Sequence, residues 1–412
     1  MEIERKEYLQ ALIDSKSNGL VKVITGIRRC GKSYLLDPIF TDYLRSVGVE
    51  NSHIVKIDLD ERENRKYWNP DALDSYVRGL IKDRQTYYIL LDEVQFVKDF
   101  ESVLNGFLHI RNLDVYVTGS NSRFLSSDII TEFRGRGTQI KVYPLSFKEY
   151  YSATKIEKRD AFSSYMIYGG MPFLTTMGSD GAKAKYLKEL FDLTYTKDIV
   201  ERNGLRKDDI LECLINILAS SIGSLTNATR IFNTFVSDGY KGLSKETIIK
   251  YLSHLTDSFL VEKVDRYDIK GKRYISSSSK YYYEDVGLRN ARLNFRQVEE
   301  NHIMENIIYL ELVRRGFNVD VGVVEINEDH RRKQLEVDFV CNEGSKRYYI
   351  QSALNLDTRG KTVQEEKPLM NVPDSFKKII IVKDSIPPWH NEEGILVLGI
   401  IDFLLDGSCL EV

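Results

Sequence analysis

Cysteine is scarce in this sequence and scattered where it occurs. Cys30, Cys213, Cys341 and Cys409 lie far apart and form no C-x-x-C pair. That excludes a dense disulfide framework, argues against structural zinc, and fits a reducing compartment. Proline is also rare, at 8 of 412 residues, and no low-complexity linker divides the chain. The one biased tract, Ser276 to Ser279, reads as a loop. No uninterrupted apolar run reaches the roughly 18–20 residues that a membrane helix needs. The opening Met1-Glu2-Ile3-Glu4-Arg5-Lys6 is charged, has no apolar segment and does not read as a signal peptide. Nor is there an excess of positive charge. Lys and Arg number 58 against 61 Asp and Glu, a formal net charge of −3. Any contact with nucleic acid must therefore come from a local patch. These absences point to a cytoplasmic chain with no membrane partner.

What is present is a globular composition, 42% hydrophobic and 29% charged, over a length that predicts two or three domains. Near the start stands Gly26-Ile27-Arg28-Arg29-Cys30-Gly31-Lys32-Ser33. It follows the apolar run Leu20-Val21-Lys22-Val23-Ile24-Thr25 and leads into Tyr34-Leu35-Leu36, so it reads as strand, loop and helix start. The spacing fits G-x-x-x-x-G-K-[ST], the P-loop. Its glycines free the backbone to turn successive N–H groups onto phosphate oxygens, and the following helix adds its positive end. Residues 26–34 are thus candidate nucleotide contacts. Lys32 is placed to neutralise β- and γ-phosphate charge, and Ser33 to coordinate Mg²⁺.

The stretches 53–58, 87–93, 115–121 and 140–143 read as further strands, and 32–44 and 71–82 as helices. Strands alternating with helices predict an α/β, doubly wound parallel sheet. Ligands of such sheets bind beyond the carboxyl ends of the strands, where the polar residues collect. Asp92 fits the acid that holds Mg²⁺, and Glu93 the carboxylate that polarises an attacking water. Ser120 or Asn121 is suited to hydrogen-bond the γ-phosphate or the water. Arg136, with Arg134 as its rival, is a candidate arginine finger, in cis or on a neighbouring subunit.

The run G-I-R-R-C-G-K-S, then I-L-L-D-E-V-Q, V-T-G-S-N-S, F-R-G-R and Y-P-L-S-F-K-E-Y resembles a group of prokaryotic AAA+ ATPases with a C-terminal domain of unknown function. The resemblance implies ATP with Mg²⁺, a strand order of 5-1-4-3-2, a sensor role for Asn121 or Ser120, and a finger role for Arg136. It also implies that residues 146–204, helical and broken at Gly169-Gly170-Met171-Pro172, form a lid after an ATP-binding domain at 1–145. No sensor-2 arginine can be placed.

Residues 205–284 read as helices followed by a hairpin turning at Ile269-Lys270-Gly271-Lys272, a winged helix-turn-helix pattern. Lys245 and Lys250 on its recognition helix, the third of the region, with Lys270, Lys272 and Arg273 on the wing, could meet the phosphates of DNA or RNA; packing on a protein partner suits the region equally. In 285–412 the order helix with Glu305, strand with Asp338, strand resembles a PD-(D/E)xK, restriction-endonuclease-like fold. The last motif reads Gln351-Ser352-Ala353, with an amide for the acid and no lysine, so cleavage is expected to be lost. The sequence as a whole predicts an ATP-hydrolysing protein that couples nucleotide state to a nucleic-acid or protein partner. Two alternatives stand beside it, a nucleotide-controlled protein switch and an active metal-dependent nuclease. A finger acting in trans would require a homo-oligomer.

Overall fold

A computed structural model describes residues 3–411 except 120–134, 193–198, 201–208, 241, 297–298 and 329. Asn121, Ser120 and Arg134 therefore lie outside the described residues. The chain divides into two compact units, Met1–Pro144 and Leu145–Val412.

The first unit is built on a parallel five-stranded sheet. Its strands are β1 (Val21–Thr25), β2 (Ile54–Asp58), β3 (Tyr87–Asp92), β4 (Leu113–Thr118) and β5 (Gly137–Lys141). They lie in the order β2-β3-β4-β1-β5, which is the implied 5-1-4-3-2. β1 and nearly all of β3 are buried, as central strands covered on both faces must be. A lysine in so buried a strand needs a partner. Lys22 has one in Asp114 on neighbouring β4, which also accepts from Tyr116 Oη at 3.0 Å. Helix Pro70–Leu80 starts as its sequence dictates, with Asn69 accepting from Ala72 N and proline in the first turn, and it buries Leu73 and Val77.

Two expectations shift. β5 begins at Gly137, before the apolar residues that signalled it, because its pairing with β1 starts at Gly137↔Val21. The helix after the loop is not continuous to residue 44. Asp37 has φ −143° and ψ 119°, and regular helix resumes at Thr41. Asp37 precedes Pro38, whose ring disfavours helical backbone in the residue before it.

The second unit opens with helices Phe147–Thr154, Lys158–Tyr168 and Asp180–Leu190, the first begun by a Ser146/Glu149 capping box. Helices Asp209–Ser220, Ala228–Ser237 and Lys245–Asp257 follow, and Ser244 caps the last by accepting from Thr247 N. Then come β6 (Val261–Asp268), β7 (Arg273–Tyr283), and helices Val286–Arg292 and Glu300–Arg314. β8 (Asn318–Glu328), β9 (Arg331–Glu343), β10 (Lys346–Ala353), β11 (Lys377–Val382), β12 (Trp389–His390) and β13 (Leu396–Gly399) complete a mixed eight-stranded sheet. Its order is β12-β13-β11-β10-β9-β8-β6-β7. The serine tract is not a loop. Ser276 to Ser279 lie within β7, where Ser279 exchanges two backbone hydrogen bonds at 2.9 Å with Thr226 and its hydroxyl donates to Asp265. Pairing overrides the low strand preference of serine. The hairpin read as a wing is also part of the sheet, since Arg266–Asp268 of β6 pair with Val321–Val323 of β8.

The break at Gly169-Gly170 is held by Asp285. Its carboxylate accepts from Gly170 N at 2.7 Å and from Leu288 N at 3.0 Å, capping the helix Val286–Arg292. A side chain at Gly169, whose φ is +73°, would meet Asp285 Oδ1 at 2.2 Å. Burial pushes the Asp285 carboxyl up to about 6, although the backbone N–H groups pull it down. Asp285→Ala is expected to destabilise this unit by roughly 2–3 kcal/mol, because a buried charge-accepting cap is lost and Gly170 N–H is left unpaired. The folded carboxyl binds its proton more tightly than the unfolded one, so between about pH 4 and 6 the folded state holds more protons. This contribution is full below that window and declines as pH rises through it. Urea unfolding of wild type and variant should therefore differ more at pH 4.5 than at pH 7.

Candidate nucleotide-binding site

The loop after β1 is shaped by two glycines at positive φ, Gly26 at 139° and Gly31 at 104°. A Cβ at Gly26 would stand 2.0 Å from Val142 O, so only glycine fits where the chain passes the residue after β5. Cys30 Sγ donates to the same Val142 O at 3.2 Å. Ile27 and Cys30 are buried, whereas Arg28, Arg29, Ser33 and Tyr34 face outward. Lys32 is 4% exposed, and its ammonium donates to Gly26 O at 2.9 Å and Ile27 O at 3.2 Å, folded back over the loop it belongs to.

The end of β3 meets this loop. Ser33 is near enough to Asp92 to lower its carboxyl, so the two residues expected to hold a metal are neighbours. Burial pushes the Asp92 carboxyl above its ordinary value. The hydrogen bond from Thr118 and the nearby Ser33 pull it down, and the charges of Glu93 and Asp58 push it up again. Glu93 leaves the strand in left-handed conformation at φ 53°. Its N–H donates to Thr118 Oγ1 at 2.9 Å, while that hydroxyl donates to Asp92, and Gln95 Nε2 donates to its carboxylate.

Sequence reasoning missed Thr118 and Asp58. Thr118 sits in the V-T-G-S-N-S block, two positions before Ser120, and it bridges Asp92 and Glu93. Asp58 ends β2 in register with Asp92. One of its carboxylate oxygens is paired with Lys56 at 2.9 Å, and the other is buried without a partner. An acid at the carboxyl end of a sheet strand was the available signal. No preformed cluster of three acidic, His or Cys ligands stands among the described residues, but a hydroxyl and a carboxylate are the oxygen donors that Mg²⁺ takes beside phosphate, so Ser33 and Asp92 fit it.

Arg136 is placed elsewhere. Its carbonyl accepts from Val21 N at 3.0 Å, so it stands where β1 and β5 begin, whereas the loop follows their far ends. Crossing β1 takes roughly 13 Å at the rise of an extended strand. Within one chain Arg136 is therefore not brought to the loop.

A second set of candidates meets in the other unit. Glu305, on helix Glu300–Arg314, and Asp338, on β9, face one another, and Gln351 on β10 lies beside them with its Oε1 3.4 Å from Asp338 N. Ser352 N donates to Asp338 Oδ2 at 2.9 Å, and Gln351 Nε2 donates to Glu365 at 3.1 Å. Into this group comes a lysine the sequence did not offer, Lys280 of β7, 2.7 Å from Glu305 Oε1 and 2.8 Å from Glu336 Oε1. Only its place in the serine-rich strand, before three tyrosines, marked it.

The parallel sheet, the glycine loop and the acids at the end of β3 define a P-loop nucleotide-binding fold. An AAA domain family matches residues 18–151, and a domain of unknown function (DUF8612) matches residues 159–299. An uncharacterised protein of Haemophilus influenzae is 34% identical over 98% of both chains. The chain therefore belongs to the prokaryotic AAA+ P-loop ATPase family with a C-terminal domain of unknown function. An uncharacterised protein of Methanocaldococcus jannaschii is 29% identical over 83% of this chain and 76% of its own. Similar solved structures include an Orc1 protein of Aeropyrum pernix in complex with DNA, at 11% identity, covering 71% of this chain and 92% of that one with a TM-score of 0.28. Another is AMPPCP-bound DnaA of Aquifex aeolicus, at 14% identity, 61% and 87% coverage and a TM-score of 0.32. Among the described residues no helix is long and apolar enough to cross a membrane.

Proposed function

We propose that this protein binds ATP with Mg²⁺, hydrolyses it, and uses the nucleotide state to control a macromolecular partner. The observation that carries the reading is the glycine loop with its buried Lys32, whose next residue, Ser33, neighbours Asp92 at the end of β3 and lowers its carboxyl. In this reading backbone N–H groups of residues 26–34 cradle the phosphates, and Lys32 turns from its two carbonyls to the β/γ oxygens. Ser33 and Asp92 hold the metal, which neutralises phosphate charge as the terminal bond breaks. Glu93 orients a water and accepts its proton. Asn121 is assigned the γ-phosphate sensor. Arg136 supplies positive charge to a neighbouring subunit's nucleotide rather than to its own, which makes the active form a homo-oligomer.

DNA or RNA is the favoured partner. Lys245 and Lys250 are exposed on the helix Lys245–Asp257, and Lys272 and Arg273 are exposed at the hairpin tip. Lys270 contributes less, because its ammonium is already bound to Glu325 O at 2.9 Å. The test is the ATPase rate with and without DNA, measured over a salt series alongside the mass in solution. Stimulation that fades steeply with salt, in a species larger than the monomer, is the expected result. A rate indifferent to DNA and RNA would shift the reading to a protein partner, and a fully active monomer would remove Arg136 from the mechanism.

A further inference from the structure

The Glu305, Glu336 and Asp338 carboxylates converge on a single point, and that point is the Lys280 ammonium. The distances are 2.7, 2.8 and 3.6 Å, and Tyr282 Oη donates to Glu305 at 2.6 Å beside them. Most of the group is buried. The side chains of Lys280, Glu305 and Asp338 are 3, 10 and 11% exposed, and that of Glu336 is 34% exposed. The chain at Gly223 closes over Glu305 so nearly that an added Cβ would meet its Oε2 at 3.2 Å. Buried carboxylates in such number require a cation, since each would otherwise be left uncompensated. Burial pushes Glu305 up, but the charge of Lys280, the nearby His302 and the hydrogen bonds of Lys280 and Tyr282 outweigh it and hold Glu305 below its ordinary value. Asp338 is driven the other way, to about 8, by burial and by Glu305.

We propose that Lys280, reaching in from β7, supplies the positive charge that a divalent ion would otherwise bring to these three carboxylates, and so closes the site to metal. The lysine missing after Gln351 is thus not restored as a catalytic group. Lys280 takes the position of the metal, with its ammonium bound to the carboxylates a metal would need. The ammonium–oxygen distances of 2.7 and 2.8 Å exceed the roughly 2.3–2.6 Å of calcium coordination by only a few tenths of an ångström. They exceed the roughly 2.0–2.1 Å of magnesium by much more. With the side chain cut back to Cβ, the space left is nearer in size to Ca²⁺ than to Mg²⁺, and Asp338, at 3.6 Å, must close in by about 1 Å to join the coordination.

The experiment is Ca²⁺ titration calorimetry with thermal unfolding on the nucleotide-free full chain. Wild type should take up no Ca²⁺ that Glu305→Gln removes. Lys280→Ala, which empties the place of the ammonium, should gain one site and a melting temperature that rises with Ca²⁺, and Lys280→Ala/Glu305→Gln should lose at least tenfold of that affinity. A wild-type site abolished by Glu305→Gln would overturn the proposal, and so would a folded Lys280→Ala that binds no Ca²⁺. If Lys280→Ala does not fold even with Ca²⁺, the neutralised Lys280→Met/Glu305→Gln/Asp338→Asn, which fills the space, decides. Recovered folding supports the role of Lys280 as counter-ion, and continued failure to fold refutes it.

Discussion

Lys32→Ala is expected to weaken ATP binding roughly 30- to 150-fold, the equivalent of losing about 2–3 kcal/mol of charge-assisted hydrogen bonding. The magnitude follows from where the ammonium is. It is held among backbone groups, 4% exposed, and its present partners are the neutral carbonyls of Gly26 and Ile27. Neutral carbonyls are weaker partners than phosphate oxygens, so the lysine gains by exchanging them when a triphosphate arrives. Alanine removes that gain, and the two freed carbonyls remain within reach of water. The loop itself should persist, because its course is set by Gly26 against Val142 and by the bond from Val142 N to Thr25 O at 2.8 Å. A fluorescent-nucleotide titration with Mg²⁺ measures the affinity, and unchanged thermal unfolding of the apo variant shows that the loop still folds. Equal affinity in the two proteins would remove the triphosphate from this loop.

The first unit was legible because its signals are local. A strand buried on both faces is a continuous apolar run, the loop announces its glycines, and acids at strand ends mark where a ligand meets a parallel sheet. The kink at Asp37 was not read, although Pro38 was its local signal. Residues brought together by pairing distant strands were not legible. Thr118 reads as an ordinary strand residue until β4 is set beside β3. Asp58 gains meaning only from its register with Asp92. Arg136 was read as a finger, in cis or on a neighbouring subunit, from arginine's chemistry and the F-R-G-R block, whereas parallel pairing of β5 with β1 carries it to the end of the sheet away from its own loop. In the second unit Lys280 lies in a serine-rich stretch that looks like a loop. Its partners are 25 or more positions away, on a helix and on β9. Nothing local in Ser276–Tyr283 encodes a buried ammonium; three carboxylates from elsewhere create the need for one.

Glu93→Gln is expected to leave ATP affinity within about twofold and to lower turnover by roughly 10²- to 10⁴-fold, the usual worth of a positioned general base. The substitution is nearly isosteric, so the left-handed backbone at residue 93 and its N–H bond to Thr118 should survive. The amide oxygen can still accept from Gln95 Nε2, which now donates to the carboxylate. What is lost is the capacity to take a proton from water. Asp92 is a poor substitute, since its carboxyl already accepts from Thr118 and is assigned to the metal. Removing a charge beside Asp92 should also lower the Asp92 carboxyl, because Glu93 is one of the charges pushing it up. Metal affinity should then be kept or slightly improved. The combination is diagnostic. Tight Mg²⁺–ATP binding with phosphate release reduced at least a hundredfold assigns the water to Glu93. Unchanged phosphate release would place the base on another residue, with Asp58 the nearest remaining carboxylate by strand register.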